Sequence, residues 1–317
     1  MMRSLFKLWL FIVVFTLMSA CEKEHELNPE VPVEIPDDNF LKALIELGVD
    51  KNWDTIISNT EAEAITQLDL NYRDISDMAG IDAFVNLETL YCFSNYLTAL
   101  DLSDNKSLEI LECSWNQLTS LDISNNTALK TLYCGANQLT SIDVSNNTAL
   151  IELWCGHNQL TSLDVSNNMA LEMLSCSFNQ LSTLDVSRNT VLRDMRCDNN
   201  QLSTVDISKI VALEILHCDN NQLNALDLTH NIYLEEIYLS GNQLTSLDVA
   251  QNTALTVLDC SANQLTSLDV SYNTSMYDLY LKKIPTLYEV CVWVIPYPFY
   301  AYTFHSPNVY FTTECSQ

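Results

Sequence analysis

From Leu87 onward the apolar positions of the chain recur every 21 residues, in nine consecutive blocks that begin at 87, 108, 129, 150, 171, 192, 213, 234 and 255. Each block reads L-x-x-L-x-C-x-x-N-Q-L-x-x-L-D-V-S-x-N-x-x, and no insertion breaks the register. A tenth block degrades from Met276, and Ile65 to Asn86 makes a 22-residue first unit. A strand alternates its side chains, so the first leucine, the second leucine and the cysteine are expected to face inward while their neighbours face out. A unit of this length cannot bury its apolar face alone. The pattern therefore predicts one short strand per block, stacked on the strand of the block before.

The cysteine slot holds Cys92, Cys113, Cys134, Cys155, Cys176, Cys197, Cys218 and Cys260, with Leu239 and Leu281 in two blocks. Leucine in that slot indicates a demand for a modest apolar side chain, which a free cysteine meets. Parallel neighbours about 4.8 Å apart hold equivalent Cβ atoms too far apart for a disulfide, and the paired spacing of a zinc site is absent. Buried, reduced thiols are expected. Three residues further on, Asn95 and its equivalents to Asn263 form a second inward column, expected to act as a hydrogen-bonded ladder on the backbone. Asp101 and its equivalents to Asp269 form an outward column on the far side. Stacked carboxylates repel by about 1 kcal/mol per pair in water. Hydrogen bonds from the Ser and Asn of the following S-x-N turn are expected to compensate, with a calcium ladder as the alternative.

This pattern resembles the leucine-rich repeat family, L-x-x-L-x-L-x-x-N-x-L, over about two-thirds of the chain, and within it the short-repeat, internalin-like surface proteins of bacteria. The resemblance implies an α/β-type repeat solenoid with a parallel β-sheet on the concave face and a mostly irregular or short-strand convex side. A small helical N-terminal cap and a β-rich C-terminal cap would close it. The resulting segments are a signal peptide (1–20), a tether (21–34), a helical cap (35–64), the repeats (65–281) and a C-terminal cap (282–317). In the helical cap, Phe40, Leu41, Leu44, Ile45 and Leu47 have helical spacing. Asp50, Asn52, Asp54, Ser58 and Glu61 then match loop positions 1, 3, 5, 9 and 12 of an EF-hand, although Thr55 replaces the turn glycine. The segment resembles the EF-hand-like caps of bacterial surface proteins. Calcium is the candidate cofactor there, none being required elsewhere, and a plain helical hairpin over the first coil is the alternative.

Arg3, Lys7 and the apolar run Leu8 to Met18 make an export signal, too short to span a bilayer. Ser19-Ala20-Cys21 resembles the lipobox of bacterial lipoproteins, with Met18 in place of the usual leucine. It implies lipidation of Cys21, and the acidic stretch that follows resembles a surface-export signal. An outer-membrane lipoprotein at the cell surface is expected, a periplasm-facing or secreted protein being the alternative. At the other end, an aromatic and β-branched segment abandons the period, with Pro296, Pro298 and Pro307 interrupting it. Cys291 and Cys315 are expected to pair in a disulfide worth about 3 kcal/mol.

With 14 Lys+Arg against 41 Asp+Glu, the net charge of −27 argues against nucleic acid and leaves the N-terminal lipid as the sole contact with a membrane. The five histidines form no H-E-x-x-H, no G-x-S-x-G occurs, and five glycines leave little scope for a phosphate loop, so the chain does not read as an enzyme. The outward strand positions are distinctive. Tyr91, Phe93, Trp115, Tyr133, Trp154, His157 and Phe178 cluster over five adjacent coils, followed by Arg196, His217 and Tyr238. Exposed aromatics at this density are expected of an interface. An extracellular protein is the expected partner, for recognition or adhesion, with a glycan as the alternative. A structural spacer, its aromatics merely packing across strands, is the third reading.

Overall fold

The computed structural model describes residues 31–315, so the expected export signal and Cys21 lie outside the described residues. Helix α1 (Asp38–Glu46) begins at Asp37, whose carboxylate accepts the N–H groups of Asn39 and Phe40. The same carboxylate accepts from Ser76 in the first coil, which ties the cap to the solenoid. Burial would raise Asp37, but these N–H and O–H donors hold it below the usual carboxylate range. Phe40, Ala43 and Leu44 form the buried stripe, with the Phe40 ring 6.5 Å from that of Phe84. Helix α2 (Asn59–Glu63) is a single short piece started by a Ser58–Glu61 capping box. No helix among the described residues is long and apolar enough to cross a membrane.

Every coil then contributes a three-residue strand. In chain order these are β1 (Gln67–Asp69), β2 (Thr89–Tyr91), β3 (Ile110–Glu112), β4 (Thr131–Tyr133), β5 (Glu152–Trp154), β6 (Met173–Ser175), β7 (Asp194–Arg196), β8 (Ile215–His217), β9 (Glu236–Tyr238), β10 (Val257–Asp259), β11 (Ser267–Asp269), β12 (Asp278–Tyr280), β13 (Glu289–Cys291), β14 (Tyr300–Tyr302) and β15 (Tyr310–Thr312). Strands β1 to β10, β12 and β14 form one 12-stranded parallel sheet in which each coil pairs with its neighbours. Equivalent residues face one another: Leu90, Leu111, Leu132 and Leu153 form one inward row. Strands β11, β13 and β15 form a second parallel sheet at the C-terminal end.

The core is a stack of identical layers. All eight cysteines of the slot are fully buried free thiols. Burial disfavours the thiolate and pushes Cys155 up to about 12. The sulfurs of Cys197 and Cys218 lie 3.0 Å apart.

The expected asparagine ladder is present. The Asn158 Nδ2 donates to the carbonyls of Cys155 in its own coil and Cys134 in the coil before, at 3.1 Å each. Its Oδ1 accepts the N–H of Leu139 at 2.9 Å. A second ladder was not foreseen. The asparagine of each S-x-N turn, for example Asn168, points inward with no exposed surface and donates to the carbonyls of Val144 and Asn147. Its Oδ1 accepts no hydrogen bond.

That corrects the account of the aspartate column. The turn asparagine gives the aspartates nothing; the partner is the residue two places on, a serine in most coils, Thr229 for Asp227 and the N–H of Ala250 for Asp248. Asp143 Oδ1 accepts the Ser145 N–H at 2.9 Å, and the same bond recurs along the column. Hydrogen bonds from Ser145 hold the Asp143 carboxyl below its usual range.

Strands β14 and β15 pair in register with β12 and β13. The segment 282–315 thus adds to both sheets and closes the solenoid at its C-terminal end. Trp293, Tyr297, Phe299 and Phe311 fill that turn with ring contacts of 4.4 to 5.3 Å. A disulfide joins Cys291 to Cys315, with Cα atoms 5.4 Å apart.

Candidate functional site

The outer face of the large sheet carries three columns: the first and third residue of each strand, and the residue just after the buried slot. A fourth column follows, where the chain turns away from the sheet. There the backbone is left-handed in nearly every coil, whatever residue it holds: Ser94 (φ 54), Trp115 (57), Ala136 (50), His157 (53), Phe178 (54), Asn199 (54), Asn220 (50) and Gly241 (72). The next coil fixes this conformation. The N–H of Trp115 bonds the carbonyl of Gly135 at 2.9 Å, and that of Phe178 the carbonyl of Asp198 at 3.0 Å. For a residue with a Cβ, this region costs about 1–2 kcal/mol, least for asparagine.

These columns enclose a groove of about 530 Å³. Of the aromatic and rim residues singled out in the sequence, Phe93, Trp115, Tyr133, Trp154, His157, Phe178, Arg196 and His217 line it. Tyr91 and Tyr238 lie outside it, half-buried on their strands. Its floor escaped the sequence reading: Ser114, Gly135, Gly156, Ser175 and Ser177 are small residues between large ones. Glu112 and Asp198 add carboxylates to the wall. Hollows of about 300 and 390 Å³ near Asp101, on the side of the aspartate column, contain no ring.

Cross-strand packing occupies most of the rings. Tyr133 meets Trp154 at 5.4 Å, His157 stacks on Phe178 at 4.1 Å, His217 stacks on Tyr238 at 4.3 Å, and Phe93 meets Tyr72 edge-on at 5.2 Å. Trp115 is the exception. It is 64% exposed and, among the described residues, stacks on no other ring. Packing between strands thus accounts for the paired rings and leaves Trp115 unexplained.

The face is acidic. From β2 to β12, its three sheet columns hold Glu112 and Glu152, then Asp194, Asp198, Asp219 and Glu236, then Asp259 and Asp278; the cations there are Arg196 and Lys282. Arg196 is engaged within its own strand, Nε donating to Asp194 Oδ1 at 3.0 Å and Nη2 to Oδ2 at 2.9 Å. Lys282 lies over the stacked rings of Tyr280 and Tyr302, at 4.9 and 5.3 Å from their centroids. Burial raises Glu112, against the pull of the Ser114 N–H. Burial, with Asp259 and Asp198 nearby, raises Asp219 to about 6. His217 is lowered by burial and by Arg196, which favours its neutral form near pH 7.

In the cap, Asp50 Oδ1 and Oδ2 accept the N–H groups of Trp53 and Thr55, Asn52 Oδ1 that of Asp54, and Asp54 Oδ1 that of Ile56. Glu61 accepts from Lys51 and Ser58. Burial would raise Glu61, and those donors hold it below its usual range. Thr55 adopts φ +68, the conformation for which glycine is preferred. The loop thus closes without glycine, but the carboxylates of Asp50, Asp54 and Glu61 do not converge within a common 4.8 Å.

Known proteins share the coil. A family model described as leucine-rich repeats (two copies) matches residues 234–273. Internalin J of Listeria monocytogenes is 41% identical over 70 residues, which is 22% of this chain and 8% of that protein. A solved functional domain of internalin J from the same organism, described as including a cysteine ladder, is similar with a TM-score of 0.83 and 37% identity. That match covers 86% of this chain and 61% of the other, so the chain spans about three-fifths of the solved relative. The structure of an internalin (inlF) of L. monocytogenes has a TM-score of 0.73 over 91% of this chain and 98% of its own, but at 18% identity it shows the fold alone. The layered core, the cysteine column and these likenesses agree: the chain has the leucine-rich repeat fold and is similar to an internalin J domain over most of its length.

Proposed function

We propose that this chain is an exported, lipid-anchored binding module that recognises an extracellular protein through the aromatic groove on its concave face. The observation that carries this reading is Trp115. It is exposed, unstacked and held at a left-handed φ of 57, so neither burial nor backbone preference accounts for a tryptophan there. Strained, exposed aromatics next to a groove fit an interface, where tryptophan and tyrosine contribute most. Binding rather than catalysis fits the histidines as well: His157 and His217 are stacked on rings. Cys21 as the lipid anchor, an outer-membrane surface location and the acidic tether rest on the sequence pattern. The deciding experiment screens the wild type and a Trp115→Ala/Trp154→Ala variant against extracellular proteins and glycans. A ligand lost in the variant, with the fold intact by circular dichroism, supports the groove; binding indifferent to both tryptophans sinks it, and a sugar in place of a protein favours the glycan alternative.

A second site is favoured by the EF-hand-like hydrogen-bond pattern of the cap. We propose that Asp50, Asn52, Asp54, Ser58 and Glu61 hold calcium after a small closure of the loop. Trp53, 80% exposed within that loop, reports on it. Its fluorescence should respond to calcium and not to magnesium, and a flat titration would remove the metal from the account.

A further inference from the structure

The protein contains its own example of how a cation sits on this sheet. Lys282 occupies the column just after the slot and lies over Tyr280 and Tyr302, rings of the neighbouring column. Six and seven coils earlier the same two columns are arranged differently. Tyr133 and Trp154 provide the rings, but the residues beside them are Gly135 and Gly156. Neither glycine has a positive φ, so backbone conformation does not require them. The adjoining coils place Ser114 and Ser177 in that column, whereas a Cβ on Gly135 or Gly156 would come within 3.1 or 3.0 Å of the next coil's carbonyl, so a side chain there requires a small shift of that coil. The glycines keep the ring faces of Tyr133 and Trp154 open from the side on which Lys282 approaches its own pair.

The charge around this opening has one sign. Glu112 and Asp198 line the groove and Glu152 accepts the Tyr133 hydroxyl, while the nearest cation, Arg196, is already paired with Asp194. Resting on the protein-recognition reading above, we infer that the groove takes a lysine- or arginine-bearing extended segment of its partner, with one cationic side chain beside the Tyr133–Trp154 pair. Aromatic faces and carboxylates attract a cation together, and partial burial strengthens both interactions. An acidic or uncharged partner would leave Glu112 and Asp198 desolvated with only the neutral donors of Ser114, Ser177 and Asn199 against their charge.

The test titrates the chain with N-acetyl-hexalysine amide, hexaglutamate of equal length and chitohexaose, by calorimetry at 50 and 300 mM NaCl. Hexalysine should bind and hexaglutamate should not, with affinity falling about tenfold at the higher salt. Trp154→Ala and the pair Glu112→Gln/Asp198→Asn should each weaken hexalysine about tenfold. The pair Asp122→Asn/Asp143→Asn, on the opposite side and with the same change of charge, should leave affinity within twofold. Gly135→Lys should compete with the peptide by filling the position that Lys282 fills elsewhere. Absence of hexalysine binding, or equal weakening by the Asp122/Asp143 pair, overturns the inference, the latter by reducing it to net charge. Chitohexaose bound through Trp154 and indifferent to salt overturns the cationic assignment but leaves the groove as the binding site. Hexalysine binding indifferent to Trp154 overturns the inference and counts against the groove as well.

Discussion

Coils that begin at 108, 150 and 171 place Trp115, His157 and Phe178 at the left-handed turn after the sheet, whereas coils that begin at 192, 213 and 234 place Asn199, Asn220 and Gly241 there. The backbone is the same in both groups. The second group holds the residues that tolerate this conformation best. The first holds large rings that gain little from it. The difference separates what the coil requires, a left-handed residue, from what one region adds against that requirement.

Three predictions test the separation, the largest effect first. If the skeleton is common to both regions, Asn158→Ala and Asn221→Ala should cost the same. Each leaves one buried N–H, that of Leu139 or Leu202, without a partner and removes one of the two asparagine donors from each of two buried carbonyls, about 2 kcal/mol. Urea denaturation checks this, and a clear inequality would show that the two regions are not built alike. Next, Trp115→Asn should raise stability by about 0.5–1 kcal/mol while removing ligand binding, and Asn199→Trp should lower stability by about 1 kcal/mol. A destabilised Trp115→Asn variant would mean that the ring belongs to the packing after all.

The smallest effect distinguishes the two faces by the sign of their pH dependence. Asp219 on the sheet is raised to about 6, so its ionised form weakens the fold at neutral pH. Asp219→Asn should therefore stabilise by about 0.5 kcal/mol at pH 7, after allowance for partial exposure, and the gain should vanish as pH falls from 6 into the ordinary carboxylate range. Asp143 on the far side is held low, so its contribution is present at neutral pH and is lost only as pH falls below 3.8 toward its folded value. Thermal midpoints of both Asn variants between pH 3 and 8 would show the opposite signs.

Most of the fold was legible because a 21-residue period leaves a residue little choice of environment. The cysteine slot could be read as apolar from Leu239 and Leu281 alone, and both are fully buried beside the thiols. The second asparagine ladder was missed because Asn168 sits in a phrase, S-x-N, that also describes an exposed turn; its recurrence at one position in nearly every block was the available signal. The groove was half legible. Residue types named Trp115 and Trp154, but left-handed φ angles do not show in a pattern of residue types, and nothing in that pattern marked Gly135 and Gly156 as the floor of the groove. The C-terminal turn was obscured because its aromatics replace the leucines and asparagines that mark every other coil.

The asparagine ladders also give the solenoid a direction. Each Asn completes the coil before its own: Asn116 satisfies Leu97 and Cys92, and Asn137 satisfies Leu118 and Cys113. A coil is therefore finished only when its successor arrives. At the last turn Ser306 stands in, giving its hydroxyl to Leu281 and accepting the N–H of Ile284. A chain that leaves a translocation pore N-terminus first would close its layers in the order in which they emerge, each new coil locking the previous one, with a single unfinished layer at any moment.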